Sequence, residues 1–317
     1  MLILAIVAGI GIYLFYLAVP ALHPAGGFLL AACKTVQPIL LFAMLFLSFC
    51  KIEPHQMRPH KWMLWLLILQ VGLFVAVTGV ILLATRAGAV WIESARIPLE
   101  AAMLCLICPT ATACAVVTGK LGGNMASVVT YTVLINLAVA VVVPLVVPVL
   151  HPMEGLNFSS AFARILSKVF PLLIMPCLLA WIVRYLLPGL HAWLLARAHW
   201  SFYIWAVSLT LAILMSTRAI VHSGNDFVLL GFIALASLLA CAFQFAAGKL
   251  IGARYGCRIS AGQALGQKNT VFGIWMGYTF LDPVTSVAGG FYSLWHNFYN
   301  TWQLYCKRKE NERKNGN

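Results

Sequence analysis

The chain has 317 residues, of which 62% are hydrophobic and 9% charged, and its 21 Lys and Arg against 8 Asp and Glu give a formal net charge of +13. A soluble domain carries roughly 45–50% apolar and about 25% charged residues, so an ordinary water-soluble enzyme is excluded and lipid is the expected solvent for most of the chain. Whether the basic excess serves nucleic acid or membrane topology depends on where the residues fall.

A helix that crosses a bilayer needs about 20 mostly apolar residues. Runs of that kind, bounded by charge, Pro or Gly, predict ten spans at 2–21, 27–50, 62–85, 97–119, 125–150, 163–187, 201–219, 227–250, 258–281 and 286–306. The linkers are short, and no stretch is left for a separate soluble domain. The first run lacks the charged start and small-residue cleavage site of a signal peptide, so the expectation is a mature first helix from Met1 onward.

Lys and Arg in short loops are retained on the cytoplasmic side. With the N-terminus inside, the even-numbered loops and the tail hold fourteen: Lys51, Arg58, Lys61, Lys120, Arg184, Arg197, Lys249, Arg254, Arg258, Lys307, Arg308, Lys309, Arg313 and Lys314. The opposite side holds five: Arg86, Arg96, Arg164, Lys168 and Arg218. The bias predicts a multi-pass protein of the cell (inner) membrane with both termini cytoplasmic. It also makes the positive charge a topology signal, so no nucleic-acid partner is expected. The polar tail 307–317 is expected to be disordered and to meet anionic headgroups.

Most of the nine cysteines sit in apolar runs, as Cys33, Cys105, Cys177 and Cys241 do, and read as small packing residues. Cys105 and Cys108 lie three apart, but no second Cys or His pair accompanies them. Neither a metal site nor a cofactor is expected.

The fourth and ninth runs are interrupted. In the fourth, Leu106-Ile107 meets Cys108-Pro109-Thr110-Ala111-Thr112, where Pro109 removes a backbone donor and disfavours helix just before itself. In the ninth, Gly262 and Gly266 flank Gln263 and the cluster Gln267-Lys268-Asn269-Thr270 at mid-span depth. A Lys in mid-membrane costs several kcal/mol unless it faces a cavity or a partner. The two interruptions lie about half the chain apart, each in the fourth span of a five-span half. An odd number of spans per half makes the second copy enter from the other side, which predicts an inverted repeat: 1–151, then 152–306, then the basic tail 307–317. Paired interruptions in such a repeat point to a transporter site at the midplane.

The polarity of the broken ends bears on the cargo. The second half-helices begin near Thr110 and Asn269, so free N–H groups and positive dipole ends face the break, and Lys268 adds a full charge. Glu53, Glu93, Glu154, Asp226, Asp282, Glu310 and Glu312 lie in loops, span ends or the tail, and Glu100 near the outer end of span four. A small organic anion is therefore the expected substrate.

Cys108-Pro109-Thr110-Ala111-Thr112-Ala113, followed by Gly123-Asn124-Met125-Ala126, resembles the Cys-Pro-Gly-Gly-Thr-Ala-Ser-Asn stretch and trailing Gly-Asn of the bile acid:sodium symporter family. Gly266-Gln267-Lys268-Asn269-Thr270 is similar to its Gly-Met-Gln-Asn-Ser, and Ser293-Leu294-Trp295-His296-Asn297 to its Ser-Val-Trp-His-Asn. The likeness covers essentially the whole chain. It implies an all-α membrane protein of ten transmembrane helices in two inverted five-helix repeats, with discontinuous helices 4 and 9 crossing at the midplane. It further implies a panel from spans 1, 2, 6 and 7, a core from spans 3–5 and 8–10, and alternating-access transport of a bile-acid-like or smaller anion. Thr110, Ala111, Thr112, Lys268, Asn269, Thr270, His296 and Asn297 are the expected cargo contacts.

Carried over position by position, the family's sodium ligands give a mixed result. Gln70 and Thr132 match. Cys114, Ala115 and Val128 stand where the family has Ser, Asn and Ser, Ala264 stands for its Glu, and Lys268, after Gln267, takes the place of a Gln ligand. Sodium needs hard oxygen donors, which Cys, Ala and Val lack. The expectation is a sodium-independent member in which Lys268, fixed or protonatable, supplies the missing positive charge, with proton coupling open. Replacement of the family's Gly-Gly by Thr110-Ala111 hints at a smaller or differently shaped anion.

His296 reads either as a cavity-lining polar group near Asn269 or as a satisfied histidine in an aromatic belt. Asn136 and Gln244 read as interhelical hydrogen-bond partners. Lys34 either snorkels or faces the cavity. Pro144, Pro148, Pro171 and Pro176 are expected to bend spans five and six. An intramembrane enzyme would need an acidic orienter at midplane depth and a cation/proton antiporter a midplane Asp, and neither is present. A sensor of the same fold would bind ligand without flux.

Overall fold

The computed structural model describes residues 2–197, 199–222 and 226–315. Helices α1 (Leu2–Ala18), α2 (Gly26–Cys50) and α3 (Lys61–Arg86) open the chain, with a 3₁₀ turn, Pro20–Ala25, ahead of α2. Two shorter helices follow, α4 (Ile92–Ile107) and α5 (Cys114–Leu121), then the long α6 (Met125–Leu150). The pair α7 (Phe158–Leu173) and α8 (Met175–Leu186) leads to the short α9 (Pro188–Ala196) and to α10 (Trp200–His222) and α11 (Phe227–Ala253). Two short helices, α12 (Arg258–Gly266) and α13 (Thr270–Phe280), precede α14 (Val287–Asn315).

Among the described residues six helical stretches are long and apolar enough to cross a membrane: Pro20–Cys50, Lys61–Arg86, Met125–Leu150, Phe158–Leu186, Trp200–His222 and Phe227–Ala253. The other four of the ten predicted runs fall short for separate reasons. Helix α1 has 17 residues and ends before Pro20. The runs 97–119 and 258–281 are each divided between two short helices. Helix α14 has 29 residues, but His296, Asn297, Asn300 and Gln303 interrupt its apolar part, and it ends in a charged segment.

That segment corrects one expectation, because the tail is helical through Asn315 rather than disordered, while residues 316–317 lie outside the described ones. Lys307 and Glu310 pair at 3.0 Å, and Arg308 and Glu312 at 2.8 Å, the spacings that bring side chains together on a helix. Helix α9 likewise occupies a stretch expected to be linker. Its buried His191 places Nε2 2.9 Å from the Cys50 carbonyl at the end of α2.

Prolines act unequally. Pro144 and Pro148 sit inside an unbroken α6, and Pro171 inside α7. In span six, α7 stops at Leu173, Ile174 separates it from α8, and Pro176 takes one of the first positions of α8. A missing N–H costs nothing there. Helix starts are capped by side chains: Asn124 Oδ1 accepts from Ser127 N, Asn157 Oδ1 from Ser160 N, and Asp226 Oδ1 from Val228 N and Leu229 N.

Helix α1 packs on α10, α10 on α2, and α2 on α8. Helix α4 packs on α3 and α11, α12 on α11, and α14 on α11, α13 and α4. Buried Leu66, Phe74, Ile135, Val139, Ile165, Leu209 and Phe272 belong to the main apolar core between them. Gly122 ends α5 with φ +88, a left-handed conformation that L side chains resist. Gly122→Ala is expected to cost about 1–2 kcal/mol and to lower the thermal unfolding midpoint in detergent; an unchanged midpoint contradicts this role for Gly122.

Candidate functional site

Cys108 has φ −46 and ψ 132, the extended conformation that a following proline favours, so α4 stops at Ile107. Beyond α12, Gln267 is extended as well (φ −92, ψ 103), and helix resumes at Thr270. The two extended segments run antiparallel, with Thr110 opposite Lys268. Ala111 N donates to Gln267 O at 2.9 Å, and Asn269 N donates to Pro109 O at 2.8 Å. Each break thus supplies partners that the other needs, as buried backbone requires.

Side chains complete the carbonyl ends of the broken helices. Gln70 Nε2, from α3, donates to Ile107 O and Cys108 O at 3.2 and 2.9 Å, and the Tyr131 hydroxyl donates to Gln70 Oε1 at 3.0 Å. Thr110 Oγ1 donates to Ala264 O at 2.7 Å, and the Tyr292 hydroxyl to Gly266 O at 2.8 Å. Gln244 Nε2 serves Cys105 O and the Tyr292 hydroxyl, the interhelical role read from sequence. Packing is close: a Cβ on Gly273 would lie 2.6 Å from Cys108 Sγ. The Asn269 side chain caps α13, accepting from Phe272 N at 3.2 Å.

Lys268 differs from its neighbours. It is 1% exposed, and its Nζ has no hydrogen-bond partner among the described residues. Gln267 Oε1, Asn269 Nδ2 and His296 Nδ1 are buried without partners as well. The titratable groups around the ammonium are the thiols of Cys108, Cys105, Cys114 and Cys241 rather than carboxylates. A buried charge without a partner is among the costliest features a fold can carry.

The predicted cargo residues are distributed unevenly. Thr110, Ala111, Lys268 and Asn269 share the bridge, Thr270 opens α13, and Thr112 is half-buried in the turn before α5. On α14, Tyr292 bonds Gly266 O and Asn300 Oδ1 accepts from Gln263 Nε2 at 2.9 Å. His296 lies midway at four-residue spacing, which puts it on the same face, toward α12. Asn297 turns back to its own helix, its Nδ2 donating to Ser293 O at 2.7 Å.

Of the positions matched to sodium ligands, Ala264 and Val128 are buried, Ala115 is half-buried, and none of the three carries a side-chain oxygen. Cys114 Sγ lies 4.0 Å from Thr118 Oγ1. Thr132 Oγ1 donates to Val128 O, and Gln70 Oε1 already accepts from Tyr131. Among the described residues no group of three or more His, Cys, Asp or Glu could hold a metal ion.

Sequence reading missed Tyr131 and Tyr292, whose hydroxyls hold the two breaks. A tyrosine in an apolar run looks like any belt aromatic, and only the position of Tyr292 four residues before His296 offered a signal. Sequence reading also expected Lys268 to face a cavity or a partner. Yet none of the three principal cavities includes it: about 690 Å³ among α1, α2 and α10, about 470 Å³ among α2, α7, α10 and α13, and about 240 Å³ beside the end of α14. Lys268 is enclosed by protein, opposite Thr110.

The model of the Sodium Bile acid symporter family matches residues 38–242, well over half of the chain. The chain belongs to that family. The matched stretch holds Gln70, the Pro109 break and Thr132 and ends within α11, before Lys268 and His296. No curated protein matches the chain. Membership of the bile acid symporter family, with the apolar helices, makes this a multi-pass membrane protein of a transporter family.

Replacing the unpaired cation with an apolar side chain of similar length removes a desolvation cost. Lys268→Met is expected to stabilise the purified protein by about 1 kcal/mol or more, read as a higher unfolding midpoint. A lower midpoint would show that the ammonium has a stabilising partner.

Proposed function

We propose that the chain is a secondary transporter that moves a small organic anion, a carboxylate of bile-acid size or smaller, by alternating access and without sodium. The observation that carries this reading is Lys268, buried and unpartnered where two broken spans meet. The starts of α5 and α13 add positive dipole ends to the same region. An anion seated there would satisfy both the ammonium and the helix ends. Thr110, Ala111, Thr112, Asn269, Thr270, His296 and Asn297 are its proposed contacts.

In this reading α4 with α5 and α12 with α13 are the discontinuous fourth and ninth of ten spans, in inverted repeats 1–151 and 152–306. Helices α1, α2, α7, α8 and α10 form a panel that moves against a core of the rest. Support comes from the packing of α1 on α10, α10 on α2, and α2 on α8. The enclosure of Lys268 fits an occluded site that such motion would open. The excess of basic residues in alternate loops supports cytoplasmic termini in the cell (inner) membrane.

Sodium independence rests on the donor set. Gln70 and Thr132 keep their oxygens, which favours a sodium-coupled reading, but two oxygens fall short of the several hard donors that sodium needs. The carboxylate position is Ala264. An ammonium at Lys268 would repel the ion it replaces. Bringing a monoanion inward against about 100 mV costs roughly 2.3 kcal/mol, so accumulation needs a compensating cation, whereas exchange or efflux does not. A proton carried on Lys268 would make the inward step electroneutral.

The test is uptake into proteoliposomes of an anion chosen by a thermal-shift screen of carboxylates and sulfonates. Uptake should continue when choline replaces Na⁺, and Lys268→Gln should abolish it. A strict sodium requirement overturns sodium independence. Binding without flux overturns transport in favour of a sensor, and wild-type uptake by Lys268→Gln removes Lys268 from the site.

A further inference from the structure

The cavity of about 470 Å³ lies where α2, α7 and α10 face α13, and it falls in the size range of small-molecule sites. Lys34 from α2 and Lys168 from α7 both line it, together with Gln37, Trp275, Tyr278 and Thr279. Both lysines are exposed, and both lean on the end of α13: Lys34 Nζ is 5.7 Å from the centre of the Tyr278 ring, and Lys168 Nζ 5.9 Å from that of Phe280. Among the described residues neither lysine forms an ion pair, and no Asp or Glu lines the cavity. Asp282, which follows this end of α13, accepts from Val284 N.

A second observation comes from the cavity wall. Gln37 is 2% exposed, and among the described residues its Nε2 has no hydrogen-bond partner. Buried amide donors in native folds are almost always paired. Lys34, Lys168, Gln37 with its unpaired amide donor, and Thr279 therefore line one space, together with the aromatic Trp275 and Tyr278. This is the chemistry of a site for an anion with two charged ends and an apolar middle. Snorkelling to lipid headgroups would account for the lysines but leaves the buried Gln37 donor unexplained.

We infer that this cavity is an anion-binding vestibule in which Lys34 and Lys168 hold the two carboxylates of a small dicarboxylate. The inference deepens the transport reading by naming a class of cargo, and rests on it only for the onward passage to Lys268. Lys34 and Lys168 belong to the proposed panel and Trp275 and Tyr278 to the proposed core, so the motion that opens Lys268 would reshape the vestibule.

Calorimetric titration of the purified full-length protein in phospholipid-free detergent tests it, with adipate as the dianion and hexanoate as the monoanion of equal length. Adipate should bind the more tightly. Lys34→Gln and Lys168→Gln should each weaken adipate about tenfold, the loss of one charge-assisted contact, and the double variant should no longer prefer it. Unchanged adipate affinity in both single variants, or a wild-type preference for hexanoate, overturns the inference. So does failure of adipate to bind while phosphatidylglycerol raises the unfolding midpoint in a Lys34- and Lys168-dependent way, which would make the cavity a headgroup site. Lys268→Gln separates this reading from the transport reading. Lysine-dependent adipate binding without flux in any variant keeps the vestibule and removes transport; Lys268-dependent uptake with unaltered adipate binding in the Lys34 and Lys168 variants does the reverse.

Discussion

Two hydrogen bonds between extended segments govern this structure: Ala111 N to Gln267 O and Asn269 N to Pro109 O. A buried stretch without helix leaves carbonyl and amide groups that must find partners. Two interruptions set antiparallel satisfy each other. Gln70, Tyr292 and Gln244 then serve the remaining carbonyl ends from three surrounding helices. These contacts tie α3, α11 and α14 to the helix ends beside the bridge that pairs Thr110 with Lys268.

Once backbone demands are met, the distribution of charge decides what the site can accept. Only 8 of the 317 residues are acidic, and among the described residues none forms an ion pair with Lys268. A protein that buries an ammonium without a carboxylate leaves an anion from outside as the natural partner. Lys34 and Lys168 repeat the theme beside the end of α13, again with no acid lining the cavity. In the proposed reading, the energetic cost of burying Lys268 is a functional one, as at active sites that give up stability for activity.

Features encoded locally were legible in the sequence. Pro109 marks the end of α4, and the polar cluster from Gln267 marks the gap between α12 and α13. The helical character of the long apolar runs follows from composition. Features created by tertiary contact were hidden. Tyr131 and Tyr292 become hydrogen-bond partners only when their hydroxyls meet carbonyls on other helices, and Asn297, promising by motif, turns back on its own turn. The Lys34 and Lys168 cavity joins residues from distant helices, so no spacing rule could pair them. The helical tail was missed because its polarity was weighed without its i to i+3 and i to i+4 ion pairs.

The central claim is that Lys268 supplies the charge that sodium supplies elsewhere in the family. The most direct measurement is uptake by a variant that combines Lys268→Gln with Ala264→Glu, which removes the ammonium and restores the carboxylate position. The account predicts that uptake by this variant requires Na⁺ and is absent in choline. Uptake in choline at the wild-type rate would contradict it.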